Sequence, residues 1–289
     1  YDFGVVVPGG RAAVEKRWDT AAREQFMEAF AASYSGRSEP DRFNALVMGA
    51  DLGWRQVSLL RANGRYLRQT GSTYSQTYVA QSLSANVEIA RLLVELFETK
   101  FNPELELSKA DRAEEVEDLR DKIKLALDSV ASLDHDKIIR SYLGIIDAVI
   151  RTSFYQPGRD TVAFKLLPRK IVDLPQPRPA YEIFVYSPRV EGVHLRFGSV
   201  ARGGLRWSDR AEDFRTEVLG LVKAQMVKNT VIVTVGAKGG FYCKHLPDPS
   251  VDREAWLKEG KACYQLFISS LLDITDNIVG GEVVPPKHV

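Results

Sequence analysis

The spacing of apolar residues changes once along this chain, and that change limits what it can fold into. Through residue 155 they recur every three to four positions, the signature of helices packed on one side. From Val162 the period falls to two, with Val162, Phe164 and Leu166 alternating with other positions as in a strand. Pro157-Gly158-Arg159-Asp160 stands between the two regimes and breaks the chain into a turn. The pattern predicts an α/β chain: an all-helical region over 1–155, then a mixed α/β domain over 156–289.

Within the first region Asp19 is placed to cap a helix running through Phe30. A short helix is expected from Glu39 to Met48, and Asp51 is the expected cap of a helix from Trp54 to Gln69. In that helix Val57, Leu60, Tyr66 and Leu67 form the buried stripe, and Arg61, Arg65 and Arg68 the wet face. Helices over Ser75–Leu83 and Asn86–Phe101 follow, the second stopped by Asn102-Pro103. Asp111–Ser129 is densely charged around a thin stripe of Val116, Leu119, Ile123 and Leu127, which predicts a solvated element. Asp134 is then the expected cap of an apolar helix from Lys137 to Ile150. This region reads as scaffold, with its arginine-lined helices as a less favoured ligand surface.

Tyr181–Tyr186 and Val193–Phe197 read as a hairpin, with Leu174-Pro175-Gln176-Pro177-Arg178-Pro179 a stiff linker before it. A helix over Asp213–Lys228, a strand over Thr230–Val235, a glycine loop over Gly236–Gly240 and a helix from Arg253 to Ile274 complete the expected order.

A net charge of +1 leaves no basic excess for nucleic acid, and no apolar run reaches the length of a membrane span. Two cysteines, Cys243 and Cys263, are too few for a disulfide framework, which points to a reducing, cytoplasmic setting. The four histidines are scattered without zinc-like spacing, so no metal is expected. Tyr1-Asp2-Phe3 carries no signal-peptide pattern, and both ends read as cuts in a longer polypeptide.

Between Gly198 and Phe241 a cation sits at each of three corners. Arg202-Gly203-Gly204 offers a guanidinium fork beside a glycine pair that lets backbone N–H groups approach an anion. Gln225 and Lys228 share one face of a helix with Leu221 and can present an amide and an ammonium to one carboxylate. Lys238 lies in Gly236-Ala237-Lys238-Gly239-Gly240, which lacks the spacing and hydroxyl residue of a nucleotide P-loop. Partial burial beside other cations makes a lysine amine a competent acid/base, and this is one role open to a lysine in such a loop. Each motif alone also has a plain structural reading: a surface turn at Arg202, a helix-dipole complement at Lys228, a tight turn at Lys238. Trp207 is expected to pack.

Together the order GGLRW, EVLGLVKAQMVKN, VGAKGGF resembles the substrate domain of glutamate dehydrogenases. With YEIFVYSPRVEGVHLR upstream and WRQVSLLRANGRYLRQTG in the helical region, it is similar to the large NAD-specific glutamate dehydrogenases of bacteria. The resemblance implies that Arg202 binds the distal carboxylate, that Gln225 and Lys228 hold the α-carboxylate, and that Gly203 and Gly204 line the pocket. It makes Lys238 the catalytic lysine in the interconversion of L-glutamate with 2-oxoglutarate and ammonium.

The resemblance also implies a catalytic aspartate and an NAD-binding domain, and neither has a counterpart here, since no GxGxxG occurs in the chain. NAD is therefore expected on a C-terminal domain outside this sequence. The full-length protein is expected to be a cytoplasmic homo-oligomer, and this segment alone to be inactive. A related amino-acid dehydrogenase is the alternative enzyme, disfavoured by a cation at the distal position. A non-catalytic helical interaction or oligomerisation module is the alternative outside enzymes.

Overall fold

The computed structural model describes residues 19–198, 203–228 and 236–289, with backbone alone for 225–228. Among the described residues the helices are α1 (Thr20–Tyr34), α2 (Ala45–Gly49), α3 (Trp54–Gln69), α4 (Gln76–Ala85), α5 (Val87–Phe101), α6 (Lys109–Leu127), α7 (Leu133–Ala148), α8 (Phe214–Lys228) and α9 (Arg253–Asp273). The strands are β1 (Val149–Thr152), β2 (Val162–Leu166), β3 (Tyr181–Tyr186), β4 (Val190–Arg196), β5 (Leu205–Ser208), β6 (Ala237–Cys243) and a separate hairpin of β7 (Asn277–Val279) with β8 (Glu282–Val284). This is the α/β order expected: helices first, then a mixed sheet.

Short polar side chains start most of the helices. Asp19 accepts the Ala22 N–H at 2.8 Å, and Ser75, Ser108, Ser132 and Asp252 do the same for α4, α6, α7 and α9. Two expected caps are corrected. Asp51 stands in the left-handed region at φ 55°, and α3 begins instead at Gly53, whose N–H donates to Gln56 Oε1 at 2.8 Å. Ser132, not Asp134, caps α7, so the helix starts four residues earlier than expected. It also ends earlier, because Val149–Thr152 leaves it to pair with β2, Val149 lying opposite Leu166. The helix expected over Glu39–Met48 is a 3-10 turn, Arg42–Asn44, followed by α2. Asp41 Oδ1 accepts the Phe43 N–H at 3.0 Å and tightens that entry.

The wet face assigned to α3 is also corrected. Arg61 is fully buried and spends its donors on Asp41 at 2.8 and 2.9 Å, Asn44 Oδ1 at 2.7 Å, Ser38, Ser58 and the Glu39 carbonyl. Burial opposes its charge, but Asp41 and Glu39 outweigh that and keep its pKa above the ordinary value.

The main sheet has the order β1-β2-β3-β4-β6-β5, antiparallel except for the parallel pair β5 and β6, which α8 joins. The expected hairpin is β3–β4, with Ile183 opposite His194. Helices cover both faces. The apolar core between α3–α7, α8 and one face contains Tyr66, Phe97, Phe164, Phe184, Phe214 and Val218. Under α9 the other face buries Val185, Val190, Phe241, Cys243, Cys263 and Phe267.

The glycine loop expected over Gly236–Gly240 is corrected as well: from Ala237 it is strand β6, with Lys238 opposite Leu195. Neither Gly239 nor Gly240 has a positive φ. They serve close packing instead, since a Cβ would lie 2.5 Å from Leu205 Cδ2 at Gly239 and 2.5 Å from Val218 Cγ2 at Gly240. The strand expected over Thr230–Val235 lies outside the described residues.

Candidate active site

Alternation along β6 turns Lys238, Gly240 and Tyr242 toward α8 and the helical core, and Gly239, Phe241 and Cys243 toward α9. Lys238 thus emerges between β4 and β5 on the face that carries α8. The glycine pair presses against it. A Cβ on Gly203 would lie 1.4 Å from the Ala237 carbonyl oxygen, so only glycine fits where the chain enters β5. A Cβ on Gly204 would stand 3.6 Å from Lys238 Nζ, and the Gly204 carbonyl accepts the Gly239 N–H at 3.2 Å. Gly203, Gly204 and Lys238 are brought together. Arg202 and the side chains of Gln225 and Lys228 lie outside the described residues.

Two described cations along and beside β6 are held by carboxylates. Arg206 pairs with Glu217 at 2.9 Å, and Lys244 sits between Glu191 at 2.6 Å and Glu39 at 3.1 Å, over the Tyr186 ring. Half-buried Lys238 forms no ion pair among the described residues. An ammonium left without a carboxylate beside an open backbone can meet an anion or a carbonyl oxygen supplied from outside.

Helix α8, which carries Gln225 and Lys228, is held from three sides. Arg215 and Glu182 on β3 form two bonds of 2.7 Å, Nε to Oε1 and Nη2 to Oε2, and both residues are buried. Burial alone would lower the Arg215 pKa; Glu182 outweighs it and raises it. Gln69 of α3 accepts the Arg215 N–H at 3.0 Å and donates to the Ala211 carbonyl at 2.9 Å. Glu217 accepts from Arg206 and, at 2.6 Å, from Ser208 Oγ, tying α8 to β5. Sequence reasoning passed over Glu182, Arg215, Glu217 and Gln69. One signal was available: Arg215 interrupts the apolar stripe of Phe214, Val218, Leu219 and Val222 on α8.

Trp207 packs, as expected, stacked on Trp256 at 4.6 Å and lodged against Gly260. Among the described residues no group of histidine, cysteine and carboxylate side chains could hold a metal ion, and no helix is long and apolar enough to cross a membrane.

A dinucleotide on a β–α–β unit places its pyrophosphate at the helix N-terminus, against glycine backbone. The residues between β5 and α8 do not fit one. Asp209, Glu212 and Asp213 crowd that turn without a glycine, Arg210 is bound to Asp213 at 2.8 Å, and Glu212 to Arg68 at 2.5 Å.

Residues 122–289 match the model of the bacterial NAD-glutamate dehydrogenase catalytic domain, and residues 38–103 that of glutamate dehydrogenase helical motif 3. The chain is 56% identical over 272 residues to the NAD-specific glutamate dehydrogenase of Halomonas elongata, and that match covers 92% of this chain and 17% of the relative. With the enzyme of the same name from Pseudomonas aeruginosa it shares 54% over 271 residues, covering 92% and 17%. With that of Mycobacterium tuberculosis it shares 52% over 281 residues, covering 93% and 17%. The chain therefore spans about a sixth of the length of these relatives. The parallel β5–α8–β6 unit that carries Lys238 lies inside the longer of the two matched regions, and this chain belongs to the bacterial NAD-glutamate dehydrogenase catalytic-domain family.

Proposed function

We propose that this chain is the substrate-binding portion of an NAD-dependent glutamate dehydrogenase, which interconverts L-glutamate with 2-oxoglutarate and ammonium. The observation that carries the reading is Lys238: half-buried, in no ion pair among the described residues, and lodged against the Gly203–Gly204 backbone. A five-carbon dicarboxylate needs a cation for each end and an amine at the reacting carbon. Arg202 is assigned to the distal carboxylate, Gln225 and Lys228 to the α-carboxylate, and Lys238 to the carbonyl oxygen or the water formed from it. There Lys238 donates a proton as the C–O bond breaks and takes one back in the reverse direction. NAD supplies hydride transfer when bound, and we assign its binding to sequence outside this chain because the turn before α8 is acidic and closed.

The test is NADH oxidation by the full-length protein with 2-oxoglutarate and ammonium. Lys238→Met should lower kcat by about 10²–10⁴-fold and still bind 2-oxoglutarate in calorimetry. Arg202→Ala and Lys228→Ala should chiefly weaken that binding, by about 1.5–3 kcal/mol each. A Lys238→Met enzyme with full turnover would sink the assignment.

A further inference from the structure

Helix α9 covers one end of its face of the main sheet, where Val185, Val190 and Phe241 are buried. The other end of that face carries positive side chains on neighbouring strands. Arg151 of β1 stands directly opposite Lys165 of β2, and Arg196 of β4 directly opposite Tyr181 of β3. Strand alternation puts Lys165, Tyr181 and Arg196 on the α9 side, because Ala163 and Val185 are buried there and Gly192 lies against Phe267. Arg151 reaches the same side, donating to the Ile274 carbonyl just past α9 at 3.3 Å. Lys165 Nζ and the Arg196 guanidinium both lie over the exposed Tyr181 ring, 5.4 and 5.8 Å from its centre. The Asp276 carboxylate is held by Arg151 at 2.6 Å, and Arg196 donates to the Gly198 carbonyl at 3.0 Å. Half-buried Lys165 forms no ion pair among the described residues. Like charges directly opposite each other on adjacent strands repel, so Arg151 and Lys165 are set against stability unless an anion joins them.

We infer that Arg151, Lys165 and Arg196 form a binding site for a small diphosphate, free or carried by a nucleoside, on the sheet face opposite Lys238. A single carboxylate neutralises one cation, whereas two tetrahedral phosphates offer oxygens to an ammonium and two guanidinium forks at once. The Tyr181 ring shields the Lys165 ammonium from water on one side, which strengthens a charge-assisted bond on the other. Burial and Arg151 hold Lys165 below its ordinary pKa, with Asp276 offsetting part and Arg196 adding to it. The positive field that opposes a proton there favours an anion. The site stands apart from the candidate active site, because Lys238 pairs with Leu195, between His194 and Arg196, and alternation sends it to the α8 side.

The test titrates the full-length protein, its coenzyme site filled with NADH, with pyrophosphate and with adenosine diphosphate by calorimetry at fixed ionic strength. Saturable binding of one diphosphate per chain is expected, weakened about 10-fold or more by Lys165→Gln and by Arg151→Gln. The second change also releases Asp276 toward the site. Lys122→Gln, which removes an exposed cation from α6, should bind as wild type does. Affinity for the nucleotide no better than for pyrophosphate assigns the site to the diphosphate itself, and tighter binding of the nucleotide assigns it to a nucleoside-borne one. No saturable binding by the wild type, or equal weakening by all three variants, would overturn the site. Lys165 and Arg151 lie on different strands, so either variant that keeps the wild-type melting temperature decides the outcome.

Discussion

Arg215 and Glu182 close a two-armed ion pair between α8 and β3, both bonds 2.7 Å, with neither side chain in contact with solvent. The pair sits where the helix assigned to the substrate meets the sheet, and Tyr66 and Gln69 of α3 border it. Desolvating two charges is costly, so the pair's value lies in geometry more than in net stability. Glu182→Gln or Arg215→Met alone strands the remaining charge or its donors, and each should cost about 3–5 kcal/mol in denaturant unfolding. The double variant Glu182→Leu/Arg215→Met should be less destabilised than either single one. Additive losses would show that the two side chains are not energetically coupled.

Gly203 and Gly204 are neighbours with different jobs, and alanine separates them. At Gly203 the new Cβ would lie 1.4 Å from the Ala237 carbonyl, so β5 and β6 must part. Gly203→Ala should destabilise the fold by about 1–3 kcal/mol or more. At Gly204 the new methyl meets Lys238 Nζ at 3.6 Å, an ordinary contact. Gly204→Ala should leave the melting temperature nearly unchanged while lowering turnover of the full-length enzyme about 10- to 100-fold by filling the space beside the ammonium that is assigned to the substrate. Equal effects of the two changes on stability would refute this division.

Arg61 offers a test of guanidinium geometry. Its planar fork reaches Asp41, Asn44, Ser38, Ser58 and the Glu39 carbonyl together, fixing the entry to α2 against α3. Arg61→Met should cost about 3 kcal/mol, and Arg61→Lys should recover less than half of it, because an ammonium cannot span those acceptors. Full rescue by lysine would mean that charge alone matters at this position.

Much of this arrangement could be read from local pattern. Period two marked β2, the cap at Asp19 could be recognised from the side chain before its apolar stripe, and the cluster of motifs around Lys238 marked the candidate site. The misreadings share a cause: each depends on a partner distant in sequence. Arg61 looks like a wet residue until Ser38, Asp41 and Asn44 are folded over it. Val149 continues a helical stripe until Leu166 pairs with it. Gly239 and Gly240 suggest a turn because glycine is read as conformational freedom, whereas here their value is the space left for Leu205 and Val218. The Arg215–Glu182 pair spans 33 positions, and no local period encodes it.

Lys100 provides a titration inside the helical region. It is half-buried under α7, donates to the Ile146 carbonyl at 2.6 Å and the Val149 carbonyl at 3.5 Å, and lies over the Phe101 ring. Burial lowers its pKa to about 8 from 10.5, and Asp147 offsets only part of that. The unfolded chain therefore binds more protons than the folded one between pH 8 and 10.5, and stability must rise with pH across that window. Below pH 8 the full penalty of a buried charge, on the order of 3 kcal/mol, is present; above 10.5 it is gone. Other groups titrate in the same range, so the informative quantity is the difference between wild type and Lys100→Met. Denaturant unfolding of both across the window should show that difference shift in favour of wild type as pH rises. A difference independent of pH would place the ammonium in contact with water and remove the basis for the shift.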